Sequence, residues 1–229
     1  MVEPGAVRSD QLIEPVRPAS RPSKSVKSVK STVSSRRRDR ERQNVRTRLL
    51  EAAREIAAEE GWQAVTIRRI ADRLEYASPI LYQHFAGKDA LLLELVNVGF
   101  ADLAERLRGV ADAPAEQILT TLAETYWDFA FSSAQLYQAM HGLAGVPFGT
   151  PASPPAAQAS FRVVRAELER LAAARNRTLR DPDGAVNTIW AFLHGFISLT
   201  MCERIAGGIE RGHRLMLGSL PPLYDSMLE

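Results

Sequence analysis

Apolar residues recur at helical spacing through most of the chain that follows residue 44. Two stripes illustrate the spacing: Val45, Leu49, Ala53 and Ile56, and then Ile67, Ile70, Ala71 and Leu74. Residues three and four positions apart share one face of a helix, so each stripe predicts an amphipathic helix. No alternating pattern is long enough to predict a strand. We therefore expect an all-α fold.

Capping signals divide the first ordered region into short helices. Gly61 stands where a first helix would end in a left-handed residue, and Thr66 is placed to cap a second one. Ser78 and the proline after it predict a cap and a first helical position for a short third helix, residues 79–85. A fourth helix is predicted over residues 88–108. Two helices joined by a tight turn, crossed by a preceding helix, predict a helix-turn-helix.

The remainder of the chain also has helical periodicity. The pattern predicts helices over residues 114–129, 132–141, 156–175, 181–205 and 208–217, with a Gly- and Pro-rich loop at residues 145–155. The predicted organisation is an N-terminal three-helix head over residues 44–87 and a second helical domain over residues 88–229.

The N-terminal residues differ from the rest in charge and composition. Residues 1–46 hold 12 Lys and Arg against 5 Asp and Glu, a net charge of +7, whereas the remainder carries 17 against 22, a net charge of −5. Residues 1–43 are rich in Ser, Pro and Arg, have almost no large apolar residues, and are predicted to be disordered. Such an arm suits a polyanion, although a merely solubilising tail is the alternative.

Composition excludes several classes of protein. Cys202 is the single cysteine, so no intrachain disulfide is possible, and we expect a reducing, cytoplasmic setting. No apolar run is long enough for a membrane span, and no signal peptide is predicted. His194 and Cys202 lie two helical turns apart, too far to share a metal without a third ligand, and Asp181 and Asp183 have the pattern of helix caps. We predict no catalytic site, metal site or cofactor.

The segment from Arg48 to Leu95 resembles the DNA-binding head of the TetR/AcrR family of transcriptional regulators. The resemblance lies in the stretches RLLEAAREIAAEEGWQAVTIRRIADRL and LYQHFAGKDALLLEL. The family pattern of Thr, Ile-x-x-Ile-Ala, Leu-Tyr-x-His-Phe and Lys is matched from Thr66 to Lys88. One departure is the turn, which usually contains a glycine and here has Leu74, Glu75 and Tyr76. Glutamate at a glycine-favouring position costs of order 1 kcal/mol.

The resemblance implies specific DNA contacts. The third helix would enter the major groove with Ser78, Pro79, Ile80 and Gln83 facing base edges. Thr66, Tyr82, His84 and Lys88 would contact phosphates. The alternatives are packing of Tyr82 on the first helix, a surface role for His84, and simple solvation of Lys88 beside Asp89. Four arginines of the arm would follow the minor groove or the phosphates, or be merely solvated: Arg36, Arg37, Arg38 and Arg40.

The second domain is similar to the ligand-sensing domain of a TetR branch with a Trp and His-Gly signature, here Trp190, His194 and Gly195. This similarity implies an apolar cavity between its middle helices. The candidate ligand-binding residues, which could equally belong to the core, are Trp127, Phe131, Tyr137, Met140, His141, Phe161, Trp190 and His194.

The family also implies a homodimer, because one short recognition helix reads few base pairs and a two-fold protein suits a palindrome. The last two helices would form its interface through Val186, Ile189, Leu193, Ile197, Leu215 and Leu217. We expect a repressor that binds a double-stranded DNA operator and is released by a small apolar effector acting through the fourth helix. The alternative is a non-specific DNA-compacting protein, which would leave the aromatic second domain unexplained.

Overall fold

The computed structural model describes residues 25–142 and 155–229, and within these ranges the regular structure is helical. The helices are α1 Ser25–Glu60, α2 Ile67–Arg73, α3 Ser78–Tyr82, α4 Lys88–Arg108, α5 Ile118–Ser132, α6 Ala134–Gly142, α7 Pro155–Ala174, α8 Pro182–Met201 and α9 Gly208–Asp225. Two short 3-10 turns, Gly109–Asp112 and Ala115–Gln117, connect α4 to α5. The all-α prediction is confirmed. The predicted loop at 145–155 lies outside the described residues except for Pro155, which begins α7.

The described part of the first of two units is residues 25–44. The predicted disorder of residues 1–43 is wrong for residues 25–43, which belong to α1; residues 1–24 lie outside the described range. Arg and Glu are strong helix formers, and opposite charges alternate from Arg38 to Arg42, so this part of α1 is helical without an apolar face. The side chains of residues 35–42 are exposed, and the Arg40 Nε donates to the Arg36 carbonyl at 3.3 Å.

The second unit, residues 45–229, contains a small hydrophobic cluster that holds the helix-turn-helix together. Its fully buried members come from four helices: Leu49 and Ile56 of α1, Ile70 of α2, Leu81 of α3 and Leu91 of α4. Leu49, Ile56 and Ile70 belong to the stripes that the sequence pattern predicts. Gly61, with φ of 81°, ends α1 in the left-handed conformation, as predicted.

The turn between α2 and α3 is a Schellman motif with a glutamate at its left-handed position. The Tyr76 amide donates to the Ala71 carbonyl at 2.9 Å, and the Glu75 amide donates to the Asp72 carbonyl at 3.3 Å. Glu75 has φ of 55°, in the region that glycine favours. The tight turn between the two helices therefore forms despite the missing glycine, and it retains the steric cost of a Cβ atom.

We expect Glu75→Gly to stabilise the protein by about 0.5–1 kcal/mol, because the relief of left-handed strain exceeds the added entropy of the unfolded chain. Urea unfolding measures this change in the free energy of unfolding. The control is Glu75→Gln, which removes the same charge but keeps a Cβ atom and should leave stability nearly unchanged. Equal stability of the two variants would contradict the strain argument.

Helix α3 is shorter than predicted and is not capped by Ser78. Ala77 occupies the capping position, Ser78 is the first helical residue, and no side chain caps the helix. The helix ends at Tyr82, and the chain leaves it through a turn in which the Phe85 amide donates to the Leu81 carbonyl at 2.9 Å. Leu81 and Phe85 are buried in the head.

A larger hydrophobic cluster joins the second half of α4 to helices α5–α9. Helices α4 and α6 approach closely at Gly99, where a Cβ atom would lie 2.6 Å from the Met140 Sδ. Helix α9 extends to Asp225, beyond the predicted end at residue 217, because Leu220 and Tyr224 continue its buried face. The Tyr224 hydroxyl donates to the Leu168 carbonyl of α7 at 2.7 Å. Helix α8 ends at Met201, earlier than predicted.

The apolar residues predicted to form a dimer interface on α8 and α9 mostly belong to this internal core. Val186, Ile189, Leu193 and Ile197 are buried within the chain itself, so their assignment to an interface is wrong. Apolar periodicity identifies the buried face of a helix without indicating whether its own chain or a partner covers it. Leu215 is exposed and Leu217 half-buried.

Candidate nucleic-acid interface and effector cavity

The predicted base-reading residues lie on α3 and the turn that follows it. Pro79 and Gln83 are exposed, whereas Ser78 and Ile80 are half-buried. Tyr82 is 60% exposed, so the alternative in which it packs on the first helix is wrong. The same short segment presents Leu81 to the core. Residues of α3 thus divide into one set that anchors the helix and another that is available to a ligand outside the head.

The residues predicted to contact phosphate have distinct surroundings. The Thr66 hydroxyl caps α2 by accepting a hydrogen bond from the Arg69 amide at 3.2 Å, as its predicted capping role requires. Lys88 is half-buried, and its Nζ donates to the Trp62 carbonyl at 3.2 Å. The Trp62 Nε1 in turn donates to the Gln135 carbonyl on α6 at 2.8 Å. Lys88 therefore joins α4 to the connection between α1 and α2, rather than being simply solvated.

Arg46 is a structural residue of the head that the apolar pattern does not reveal. Its guanidinium lies 4.4 Å from the centre of the Phe85 ring and donates to the His84 carbonyl at 3.0 Å. It also forms an ion pair with Glu94 of α4, with an N–O distance of 3.1 Å. Half-buried His84 is therefore held at its backbone next to α1. A cation on an apolar helix face was the available signal, but its partners are remote in sequence.

The arginine-rich part of the arm belongs to the first of the two units. Arg36, Arg37, Arg38 and Arg40 are exposed on the first part of α1. At helical spacing these side chains point in several directions around the axis. Their arrangement is compatible with a polyanionic partner.

A cavity of about 610 Å³ lies between α4, α5, α7 and α8. Apolar side chains form most of its wall, including Phe100 and Leu103 of α4, Leu122 of α5 and Phe161 of α7. Polar residues of α7 and α8 also contribute to the lining. This volume is within the range of pockets that hold small organic molecules.

Two of the eight predicted ligand-binding residues, Phe161 and Trp190, line this cavity. Trp127 and Phe131 pack against each other with ring centres 4.5 Å apart, and Trp127 contacts His213 of α9. Met140 packs against α4 at Gly99. These three residues therefore stand in helix-packing positions outside the lining.

The remaining predicted residues form a polar network behind the cavity wall. The Trp190 Nε1 donates to the Tyr126 hydroxyl at 2.9 Å, and this hydroxyl lies 3.2 Å from the His141 Nε2. The His141 Nδ1 donates to the Tyr137 carbonyl at 2.9 Å, which leaves the neutral Nε2 to accept from Tyr126. The Tyr137 hydroxyl lies 2.6 Å from the His194 Nδ1, and the two histidine rings stack with centres 4.7 Å apart.

Burial keeps this network neutral. It raises the pKa of Tyr126 to about 12 and raises the pKa of Tyr137 as well. It lowers the pKa of His141 to about 4 and shifts the pKa of His194 in the same direction. Loss of water around an ionised group is the main cause in each case. At neutral pH both histidines are therefore uncharged and suited to lie beside an apolar cavity.

We expect the protein to lose stability as pH falls from 6.5 towards 4. In this window the unfolded His141 binds a proton that the folded side chain does not, so acidification favours unfolding. Its contribution between pH 7 and pH 5 is about 2 kcal/mol. Urea unfolding at both pH values should show a smaller loss in His141→Gln than in the unchanged protein. An unaltered pH dependence in this variant would contradict the assignment, whereas a residual loss is expected from His194.

Among residues 25–142 and 155–229, no helix is long and apolar enough to cross a membrane. Within the same ranges, no group of three or more His, Cys, Asp or Glu residues could hold a metal ion.

Fold and site define a helix-turn-helix protein whose DNA-binding head is joined to a helical domain with an internal cavity. The model of the bacterial regulatory proteins of the tetR family matches residues 49–95, and that of the tetracyclin repressor-like C-terminal domain matches residues 119–215. Together the two matches cover more than half of the chain. The chain belongs to the TetR family and is a transcriptional regulator rather than an enzyme.

The chain is similar to curated regulators over part of its length. It is 42% identical over 74 residues to the transcriptional repressor KstR2 of Mycobacterium tuberculosis, covering 32% of this chain and 36% of that protein. It is 32% identical over 95 residues to the transcriptional activator FasR of Mycolicibacterium smegmatis, covering 41% and 43%. The chain thus matches less than half the length of either relative.

Among solved structures, a protein of unknown function from Rhodococcus sp. RHA1 has a similar fold. The two have a TM-score of 0.69 and 20% sequence identity, and the similarity covers 80% of this chain and 95% of the other. At this identity the comparison supports the fold alone. The fold likeness covers more of this chain than the matches to the curated relatives do.

Proposed function

We propose that the protein is a ligand-responsive repressor that binds a palindromic operator as a homodimer and is released by a small, largely apolar effector. The KstR2 and FasR relatives are a repressor and an activator respectively, so the head alone does not fix the sign of regulation. Repression is the simpler proposal, because a protein seated on an operator blocks access to it without further contacts. The predicted reducing, cytoplasmic setting gives access to DNA.

The observation that carries this proposal is that α4 belongs to both hydrophobic clusters. Leu91 and Leu95 in its first half are buried in the head. Phe100, Leu103 and Leu107 in its second half line the cavity. A helix transmits displacement along its length because its backbone hydrogen bonds resist local bending. An effector that moves the cavity wall would therefore also move the head.

The effector acts only through a difference in affinity between two conformations. If it binds the released conformation more tightly than the DNA-bound one, it lowers DNA affinity by at most that ratio. The apolar wall would supply most of the binding free energy, at about 25 cal/mol per Å² of surface removed from water. Trp190 and Phe161 would contribute large aromatic surfaces to this contact.

We propose that residues of α3 and of the turn after it contact base edges, and that other residues of the head contact phosphates. Gln83 and Pro79, with Ser78 and Ile80, would face base edges in the major groove, where an amide can bond adenine in two places. Tyr82, Thr66, His84 and Lys88 would position the head on phosphates, which carry little sequence information. The arm arginines Arg36, Arg37, Arg38 and Arg40 would add affinity that depends on salt.

Homodimerisation is proposed through an exposed face of α8 and α9. Leu199 on α8 and Leu215 on α9 are 48% and 41% exposed, and small residues Ala191 and Gly195 share the outer side of α8. Small side chains allow two helices to approach closely, while the leucines supply apolar area. A partner copy related by two-fold symmetry would cover the same face on both protomers.

We expect Leu215→Glu to weaken the dimer by at least tenfold, because it would place a charge in an apolar contact. Sedimentation equilibrium measures the dissociation constant directly. The matched control is Leu93→Glu on α4, since Leu93 is 46% exposed and lies outside α8 and α9. Equal weakening of the dimer by both substitutions, or no weakening by either, would contradict this interface.

The proposed function is tested by fluorescence anisotropy on the DNA immediately upstream of the protein's own gene, compared with a shuffled duplex over a salt series. We expect a preference of about 10³-fold or more that persists as salt rises. Gln83→Ala should lower affinity for the operator by about 10- to 100-fold, equivalent to about 1–3 kcal/mol, with little effect on the shuffled duplex. Tyr82→Phe should weaken both in similar proportion.

Two results would contradict the proposal. Equal binding to both duplexes, falling steeply with salt, would favour a counterion-driven, non-specific DNA binder. Loss of all affinity in a chain that lacks residues 1–40 would assign binding to the arm rather than to the helix-turn-helix. Retained preference in the shortened chain would support recognition by α3.

A further inference from the structure

The cavity has an apolar interior and a polar rim, and the rim includes one arginine and one aspartate. Gln158 and Arg162 are one helical turn apart on α7, and Asp183 and Asn187 have the same spacing on α8. All four contribute to the cavity lining. Residues four positions apart share a helix face, so the two pairs form adjacent polar edges of one opening.

The negative charge on this rim is already paired. Asp183 accepts from the Arg165 Nη1 at 2.9 Å. Arg165 also bonds Glu169 at 3.1 Å, but neither of these residues lines the cavity. Arg162 is exposed and has no ion pair or hydrogen bond among the side chains that the structure describes, residues 35–141 and 155–229. The uncompensated charge on the lining is therefore a guanidinium.

The polar groups of the interior, in contrast, are occupied by the protein. The Tyr126 hydroxyl accepts from Trp190 and donates to His141. The Ser160 hydroxyl lies 3.2 Å from the carbonyls of Phe100 and Ala156. An anionic ligand group would therefore find the Arg162 guanidinium at the rim and few hydrogen-bond partners in the interior.

We propose that the effector is an amphipathic anion whose apolar body fills the cavity and whose anionic headgroup, a carboxylate in its simplest form, pairs with Arg162. This inference rests on the proposed effector function. A cavity of about 610 Å³ holds about twenty non-hydrogen atoms at the volume per molecule of liquid water, which limits the apolar body. The guanidinium fork bonds a carboxylate through two parallel N–H groups, which an alcohol cannot match.

The probes that test this inference are decanoate, 1-decanol and decyltrimethylammonium, used below their micelle concentrations. They have the same ten-carbon chain and differ in the charge of the headgroup. Isothermal titration calorimetry on the full-length protein should give at least tenfold tighter binding for decanoate than for decanol. The weakest binding is expected for decyltrimethylammonium. Equal affinity for the three probes, tighter binding of the cation, or binding of none would overturn the inference.

Arg162 is tested by two substitutions and one control. Arg162→Gln should remove the preference for decanoate and leave decanol affinity within about threefold, whereas Arg162→Lys should retain part of the preference. Arg54→Gln on α1 removes the same charge from an exposed residue outside the cavity and should leave the preference intact. An unchanged preference in Arg162→Gln would overturn the role of this side chain.

Failure of this inference is distinguishable from failure of the proposed function. Arg162 lies outside the head, so Arg162→Gln should bind the operator duplex with the affinity of the unchanged protein. Operator preference with no decanoate preference would overturn the anionic effector alone. Absence of operator preference in the unchanged protein would instead contradict the regulator function on which the inference rests.

Discussion

The shared helix α4 is the constraint on which the rest of this structure depends. Its first half completes the core of a head that is too small to bury much surface alone, and its second half forms a wall of the cavity. Packing at both ends fixes the helix, because close-packed interiors tolerate little displacement without loss of contacts. A molecule in the cavity would therefore contact the same helix that completes the core of the head.

The head also contacts the second domain through Trp62, in the connection between α1 and α2. Its carbonyl accepts from Lys88 at the start of α4, and its indole donates to Gln135 in the first turn of α6. The indole hydrogen bond contributes about 1 kcal/mol and the bond from the lysine ammonium about 1.5–3 kcal/mol, so neither fixes the head alone. Together they make the orientation of the head depend on α6 as well as on α4.

Sequence periodicity predicted the elements of the head and their buried faces, since both are local properties of a helix. It could not show that Lys88 would meet the carbonyl of Trp62, because the two are joined only by the folded chain. Nor could it separate cavity from core: Met140 and Phe161 are both apolar at helical spacing, yet only Phe161 lines the cavity. The helical arm was missed because an apolar stripe, which it lacks, was the criterion for order.

The polar network connects these contacts to the cavity. Trp190 on the cavity wall bonds Tyr126, Tyr126 bonds His141, and His141 lies on the same helix, α6, whose first turn bonds Trp62. Because burial keeps His141 neutral, its Nε2 can accept from Tyr126, and protonation would reverse the direction of that hydrogen bond. A ligand that displaces Trp190 would thus act on α6 only through Tyr126 and His141. The cavity wall is therefore connected to the head by the packing of α4 and also by the hydrogen bonds of α6.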